Sequence, residues 1–174
     1  MKKTILIILA FLSLTMIFNK KEETVKIPDS AIRFRVLANS NSPRDQKIKQ
    51  DISKKLQKEL YSLLKSTKNI NEARTLITNN LDSFDNVLKE ETKTLEYSYK
   101  IDYGLHEFPS KIYKGVTYDG GFYESLLVTL GDGKGDNWWC VLFPPLCILE
   151  AEETSETNDV EYKFFIKEII EKYF

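Results

Sequence analysis

The sequence has little of several features on which particular classes of protein depend. Seven glycines and five prolines among 174 residues exclude a collagen-like chain. Only one stretch is strongly apolar, which excludes a multi-span membrane protein. Neither charge is in excess, since 25 Lys and Arg oppose 26 Asp and Glu, and a net charge of −1 argues against nucleic acid as the main partner. The chain does have 42% hydrophobic and 12% aromatic residues at one-domain length, which is enough to bury a core.

The apolar stretch lies at the N-terminus. Lys2 and Lys3 precede Thr4 to Phe18, a run without charge or proline, which is the layout of a secretory signal. The run spans roughly 22 Å as a helix, less than the ~30 Å hydrocarbon layer, although flanking lysines can extend its reach. We predict a signal peptide or a signal anchor at residues 1–21, with cleavage and retention both open, and a linker at residues 22–30. Without residues 1–21 the chain keeps 21 basic and 26 acidic residues, a net charge of −5.

Alternation of apolar and polar residues predicts the strands of the exported part. Residues 31–38 alternate in this way, and residues 95–103 do so most clearly. The turn sequence Asp119-Gly120-Gly121 predicts that residues 111–118 and 122–130 pair as antiparallel strands.

Capping signals and helical periodicity predict three helices. The sequence Ser42-Pro43-Arg44-Asp45 is a capping box with proline at the first helical position, and the helix that it starts runs to about Leu64. A second helix at about 71–90 forms a hairpin with the first, and a third covers Val160 to Phe174. The expected fold class is α+β, an antiparallel sheet with the helical hairpin and the C-terminal helix packed on it.

Residues 138–147 (WWCVLFPPLC) hold both tryptophans, both cysteines and two of the five prolines. Because Pro144 and Pro145 cannot donate ladder hydrogen bonds, we predict an apolar strand that ends at a rigid corner. Its side chains either pack in the core or form the rim of a recognition patch. Cys140 and Cys147 can pair only if the chain turns back at the prolines, since seven extended residues span roughly 23 Å. A disulfide and two buried thiols are both open.

Several stretches together resemble a known protein family. Gly131 to Cys147 (GDGKGDNWWCVLFPPLC) is similar to the stage II sporulation protein R family of endospore-forming bacteria, and Ile32 to Gln46 (IRFRVLANSNSPRDQ) resembles the opening motif of that family. Phe108 to Lys111 and Gly121 to Ser125 resemble the pieces between them. We therefore expect a sporulation-signal domain at residues 31–149, followed by an acidic linker and the C-terminal helix at residues 150–174.

The resemblance implies a signalling function rather than an enzyme. Members of the family are made in the forespore and exported into the space between the forespore and mother-cell membranes. There they activate a membrane-embedded aspartic protease, which cleaves the precursor of the mother-cell sporulation sigma factor. The expected partners are this protease and, through residues 1–21, the membrane. No cofactor, metal, nucleic acid or small-molecule substrate is expected.

We hypothesise that the protease contacts the loop after the first strand and the rim of the Trp-Pro segment. The residues of this predicted surface are Asn39, Ser40, Asn41, Trp138, Trp139, Phe143, Pro144 and Pro145.

The alternative function is a cell-envelope hydrolase in which Cys140 and the only histidine, His106, form a catalytic pair. Asp102, Asp132 or Asp136 would then orient the imidazole. The residues around Cys140 match no nucleophile signature, which favours the signalling function.

Two further patterns have ordinary structural explanations. The glycine-rich residues 131–135 lack the spacing of a phosphate-binding or Ca²⁺-binding loop, so a tight hairpin is the better interpretation. Arg33 and Arg35 share one strand face, which we interpret as a solvated face, with a small basic patch for an acidic partner as the alternative.

Overall fold

The computed structural model describes residues 25–26, 28, 30–113, 116–146 and 159–173. These residues form seven strands and four helices. The strands are β1 (Val25–Lys26), β2 (Ile32–Leu37), β3 (Tyr99–Phe108), β4 (Lys111–Tyr113), β5 (Val116–Tyr118), β6 (Gly121–Leu130) and β7 (Asn137–Phe143). The helices are α1 (Pro43–Leu64), α2 (Ile70–Asn79), α3 (Leu81–Thr92) and α4 (Asp159–Tyr173).

The main sheet has the strand order β3-β6-β2-β7, and β2 lies in its centre. Strand β2 pairs antiparallel with β7 and parallel with β6, with Arg33 opposite Ser125. The predicted α+β class is confirmed, but the sheet is mixed rather than purely antiparallel. The three helices and β3 return the chain to the end of the sheet where β2 began, so β6 enters in the same direction as β2.

Helix α1 begins as the capping signals predict. The Ser42 side chain accepts a hydrogen bond from the Asp45 backbone N–H at 3.1 Å, and Pro43 occupies the first turn. The apolar side of the helix packs on β7 and β2, so the main core lies between the helices and one face of the sheet. Buried residues of this core include Ile52, Leu56, Leu60, Leu64, Phe34, Val36, Leu126 and Val128.

The second predicted helix is two helices, α2 and α3, separated at Asn80. This residue has φ −115° and ψ 13°, outside the helical region, and its side-chain amide donates to the Leu76 carbonyl at 2.8 Å. An asparagine that hydrogen-bonds the backbone in this way competes with helix continuation. The chain therefore turns at Asn80, and α3 packs on α1 from a new direction.

Two strand predictions were wrong in their pairing or bounds. Strand β3 begins at Tyr99, four residues later than predicted, and continues to Phe108 as the partner of β6 along ten residues. Strands β4 and β5 pair antiparallel with each other as a small hairpin, instead of pairing with residues 122–130. The long β3–β6 ladder satisfies the β6 backbone and leaves the hairpin to form a second sheet with β1, in the order β1-β5-β4.

The main sheet has two ends, which carry different parts of the chain. The loop end is the end at Leu37, and it carries residues 39–42 and 131–136. The hairpin end is the end at Ile32, where β3 finishes and the β4–β5 hairpin begins. At the hairpin end a second core joins the small sheet to β7 and α4 through Val116, Tyr118, Val141, Leu146 and Ile166.

The predicted targeting segment at residues 1–21 and the acidic residues 150–158 lie outside the described residues. Among the helices that the structure describes, none combines the length and apolarity that a membrane crossing requires.

Candidate functional site

At the loop end, the loop after β2 and the loop between β6 and β7 are fastened to each other. The Asn39 side-chain oxygen accepts a hydrogen bond from the Asp132 backbone N–H at 3.1 Å. The Asn41 side-chain oxygen accepts from the Asp136 backbone N–H at 2.6 Å. Lys134 N and Gly135 N donate to the carbonyls of Asn39 and Ala38, at 3.2 and 2.9 Å. The predicted residues Asn39 and Asn41 therefore hold a rigid two-loop structure together.

Asp45 anchors this structure to α1. Its carboxylate accepts hydrogen bonds from the Ser40 hydroxyl at 2.6 Å, the Asn39 amide at 2.9 Å and the Tyr97 hydroxyl at 3.0 Å. The bonds from Ser40 and Asn39 lower the pKa of Asp45 below its ordinary value, against the raising effect of burial. Burial and the bond to Asp45 raise the pKa of Tyr97 to about 12. Asp45 is thus a buried, ionised acceptor that fixes both the loop and the start of α1.

Lys49 joins α1 to the second loop. Its ammonium donates to the Asp136 carbonyl at 3.0 Å and to the Gln46 side-chain oxygen at 2.5 Å. Burial lowers the pKa of Lys49, and the nearby Asp136 charge partly opposes that shift. Gln46 in turn donates to the Ser40 carbonyl at 3.0 Å. The side chains of α1 therefore satisfy polar groups of both loops.

The glycines of the second loop are needed for close approach. Gly131 has φ +54°, and a Cβ there would overlap the Asn39 amide. A Cβ at Gly135 would overlap the Ser40 backbone carbonyl. Within the described part of the chain, no group of three or more His, Cys, Asp or Glu side chains could hold a metal ion. The close contacts at Gly131 and Gly135 are those of the predicted tight hairpin.

The surface that the loop end presents to solvent is polar and carries both charges. Asn41, Asp132, Lys134 and Asp136 are exposed, and Lys134 forms a surface ion pair with Asp132 at 2.8 Å. Trp138 is half-buried nearby on β7 and packs edge-on against Phe34, with ring centroids 5.4 Å apart. This combination of exposed polar groups on rigid loops beside a partly exposed tryptophan is suited to protein recognition.

The other predicted surface residues lie elsewhere. Trp139 is on the opposite face of the sheet, with its ring centroid 4.8 Å from that of Tyr118. Phe143, Pro144 and Pro145 are buried at the hairpin end, where the Phe143 ring packs edge-on against Tyr173 of α4. The structure therefore brings Asn39, Ser40, Asn41 and Trp138 to one end and separates the remaining four from them.

The chain turns at the prolines, as expected. The Leu146 backbone N–H donates to the Pro144 carbonyl at 2.7 Å, and the Phe143–Pro144 peptide bond is cis. Cys140 is disulfide-bonded, whereas Cys147 lies outside the described residues. The pairing of these two cysteines stays a prediction.

The interpretation of Arg33 and Arg35 as a solvated face was wrong. Arg33 is fully buried, and its guanidinium carbon lies 3.3 Å from the Tyr123 ring centroid, with Phe108 and Trp139 at 5.2 and 5.3 Å. The guanidinium of Arg35 donates to the Glu107 carbonyl at 2.8 Å, and burial lowers its pKa. The end of β3 bends over this face of the sheet and covers it, a tertiary feature that strand alternation cannot reveal.

His106 belongs to a hydrogen-bonded chain of side chains that does not include Cys140. Its Nε2 lies 2.9 Å from the Asp102 carboxylate, and its Nδ1 lies 2.8 Å from the Ser125 hydroxyl. Cys140 is packed in the core on the other face of the sheet and is disulfide-bonded, so the predicted catalytic pair is not assembled. Sequence reasoning missed Ser125 because nothing in the sequence places it opposite β3.

Asp102, His106 and Ser125 are connected in the same sequence as the acid, base and nucleophile of an acyl-transfer triad, but the serine is not accessible to a substrate. Ser125 is fully buried, so a substrate carbonyl cannot approach its hydroxyl. In this structure the three side chains instead link β3 to β6 on the covered face of the sheet.

A groove of about 920 Å³ lies between α1 and α3. Leu63, Phe84 and Val87 form its apolar floor, and an ion pair between Lys55 and Glu91 crosses from one helix to the other. Both lysines and glutamates line it, so it favours neither acidic nor basic partners.

The family described as Stage II sporulation protein R (spore_II_R) matches residues 28–153. The chain belongs to the stage II sporulation protein R family. The stage II sporulation protein R of Bacillus subtilis (strain 168) is 40% identical over 185 residues, which cover 99% of this chain and 83% of that protein. No solved structure shows a significant match.

The predicted family is thereby confirmed. The part of the chain that matches stage II sporulation protein R includes both loops of the loop end, the main sheet and the strands β4 and β5, whereas β1 and α4 lie outside it. The family match therefore includes every strand of the main sheet and both loops of the loop end.

Proposed function

We propose that this chain is an exported sporulation signal that activates a membrane-embedded aspartic protease in the neighbouring compartment. The protease then cleaves the precursor of the mother-cell sporulation sigma factor. The observation that carries the proposal is membership of the stage II sporulation protein R family across residues 28–153. The basic and apolar N-terminal sequence supports export into the space between the forespore and mother-cell membranes, with or without retention as an anchor.

The loop end is the proposed contact surface for the protease. Its two loops are cross-linked by hydrogen bonds that the Asn39 and Asn41 side chains accept from backbone N–H groups of the second loop, so little conformational entropy is lost when a partner docks. Asp132 and Lys134 project from it with most of their side chains exposed. Trp138 adds an aromatic side chain of the type that often dominates binding energy. Ser40 contributes indirectly, because its hydroxyl donates a hydrogen bond to the Asp45 carboxylate.

The remaining residues of the predicted surface support recognition indirectly. Phe143, Pro144 and Pro145 are buried, so they shape β7 and its corner rather than touch a partner. Trp139 is half-buried beside Tyr118 and Lys111 on the other face. The activator itself is proposed to be a protein ligand that needs no cofactor or catalytic group.

Reconstitution in a non-sporulating bacterium tests the function. The chain is co-expressed with its matching membrane protease and the sigma-factor precursor, and immunoblotting measures precursor cleavage. Cleavage that requires the wild-type chain is expected. Its absence, when the chain is exported and folded, would contradict the proposal.

Paired substitutions test the surface in the same assay. Asp132→Ala with Lys134→Ala, or Trp138→Ala alone, should reduce cleavage about tenfold, the loss of one good interface contact. The matched control is Glu90→Ala with Lys93→Ala, which removes a similarly exposed ion pair from α3. Equal cleavage by loop and control variants would move the contact surface away from the loop end.

His106→Ala and Ser125→Ala discriminate a ligand from an enzyme. Cleavage that survives both substitutions in folded protein supports a non-enzymatic ligand. Loss of cleavage in both, with unchanged thermal unfolding, would instead support hydrolase chemistry at this group.

A further inference from the structure

Large apolar side chains are exposed at the hairpin end but not at the loop end, as far as the described residues show. Among the described residues, the large hydrophobic side chains that are mostly exposed are Leu105, Ile112 and Phe122, at 72, 74 and 70%. All three belong to the hairpin end. Leu105 on β3 and Phe122 on β6 are diagonal neighbours, because Glu107 pairs with Phe122 and Leu105 pairs with Glu124. Ile112 follows in β4, four residues after the end of β3.

Such a group is unusual on a protein that is surrounded only by water. Single exposed apolar residues are common, but large ones gathered at one end of a domain mark a surface that is covered by a partner or a membrane.

The chain connection indicates what covers this end. Strand β1 pairs with β5, with Val25 opposite Val116, and β5 pairs with β4, with Thr117 opposite Ile112. Val25 comes seven residues after Phe18, where the uncharged apolar run ends. Seven residues span at most about 25 Å, so the small sheet is the part of the domain tied most closely to that run.

We propose that the hairpin end rests on the lipid surface of the membrane, with Leu105, Ile112 and Phe122 inserted into its interfacial layer. Because β2 and β6 run from this end to the loop end, the loops then point away from the membrane. This contact is independent of which protein the loop end recognises.

Depth-dependent fluorescence quenching tests the contact. The full chain is reconstituted into vesicles of phosphatidylcholine and phosphatidylglycerol that contain a lipid with a nitroxide near the headgroup. Tryptophan is introduced by Phe122→Trp at the hairpin end and, as the matched control, by Lys134→Trp at the loop end. The wild-type chain gives the background from Trp138 and Trp139.

The proposal predicts that nitroxide lipid quenches Phe122→Trp at least twofold more than Lys134→Trp. Adding Leu105→Asp and Ile112→Asp to the Phe122→Trp chain should reduce its quenching to the control level, with circular dichroism confirming an intact fold. Equal quenching at both ends would overturn the proposal. So would a Phe122→Trp signal that is shielded from aqueous acrylamide but not quenched by lipid, since a second copy or another protein would then cover this end. Unchanged quenching after the two aspartate substitutions would also overturn it.

Discussion

Asp45 is the residue on which the geometry of the loop end most depends. It accepts hydrogen bonds from three side chains that come from two different segments, and its own N–H is capped by Ser42. Bonds to an ionised acceptor are stronger than bonds between neutral groups. Loss of the charge therefore weakens the loop, the start of α1 and the contact with Tyr97 together.

Asp45→Asn should lower the free energy of unfolding by about 2 kcal/mol at neutral pH, because it removes charge-assisted hydrogen bonds in a buried position. The folded-state pKa of Asp45 is lowered, so its contribution is complete above the unfolded-state pKa near ~4 and is lost as pH falls through the folded-state pKa. Urea unfolding at several pH values measures this. The difference between wild type and variant should shrink below about pH 4.

The matched control is Asp51→Asn, which affects an exposed pair between Lys47 and Asp51 on α1. Its effect should stay within about 0.5 kcal/mol. A difference between wild type and Asp45→Asn that does not change with pH would show that the carboxylate charge is not the source of its stabilising effect.

The two cysteines give a second prediction at this scale. If Cys140 and Cys147 pair, the short loop that they close stabilises the folded chain by about 2.5 kcal/mol. Unfolded, non-reduced protein should therefore contain no free thiol, and Cys140→Ser should lower the free energy of unfolding by that amount. Under reducing conditions the difference between the wild type and the variant should shrink by that amount, and only the cost of placing a serine hydroxyl in the core should remain. Two reactive thiols in unfolded, non-reduced protein would contradict the pairing.

Single residues also show where prediction from sequence ended. The Ser42 cap is an interaction between residues close in the chain, so the sequence pattern was sufficient to predict where α1 begins. The burial of Arg33 and the contact between His106 and Ser125 depend on strands that meet only in the folded sheet. The alternation of apolar and polar residues along a strand predicts that the strand has two faces, but it does not predict which face other elements cover.

At the scale of elements, the two loops of the loop end behave as one unit because glycine lets them touch. Gly135→Ala should lower the free energy of unfolding by about 2 kcal/mol, since a Cβ there meets the Ser40 backbone and the loops must separate. Gly104→Ala on β3 is the matched control, because no atom lies within 4 Å of the Cβ that it would add. Its effect should stay within about 0.5 kcal/mol.

Thermal and urea unfolding of the two variants measure the difference. If Gly135→Ala unfolds like Gly104→Ala, the loops accommodate the methyl group and are less tightly joined than the hydrogen bonds indicate. A Gly135→Ala chain that is less stable should also be less active in precursor cleavage, because the proposed contact surface consists of these loops.

Helices were easier to predict than strand partners, for a physical reason. Helix α1 satisfies its own backbone and shows its bounds in nearby residues, so its start and end were both predicted. A strand needs a partner from elsewhere, and β6 could pair with the preceding residues 111–118 or with β3. The ten-residue ladder with β3 satisfies more backbone groups than the three-residue alternative would, and it formed.

For the whole molecule, the two ends of the sheet differ in chemistry. The loop end is polar, with both charges and rigid loops, and the hairpin end carries the exposed apolar side chains. Membership of the family could be predicted from motifs spread through the chain. The chemical difference between the two ends could not be predicted in this way. Leu105, Ile112 and Phe122 alternate like ordinary strand residues, and their exposure is visible only in the folded structure.

The central position of β2 has a consequence for the order in which the chain becomes structured during synthesis. Both neighbours of β2 come from late in the sequence, since Arg33 is opposite Ser125 on one side and Val141 on the other. Until the ribosome has released β6, the earliest strand of the main sheet has no partner, and the sheet face on which the helices pack stays incomplete until β7 follows. The first strand of the main sheet is therefore among the last to be paired. In the export that we propose for this chain, that delay keeps the sheet open while the chain enters a narrow protein-conducting channel.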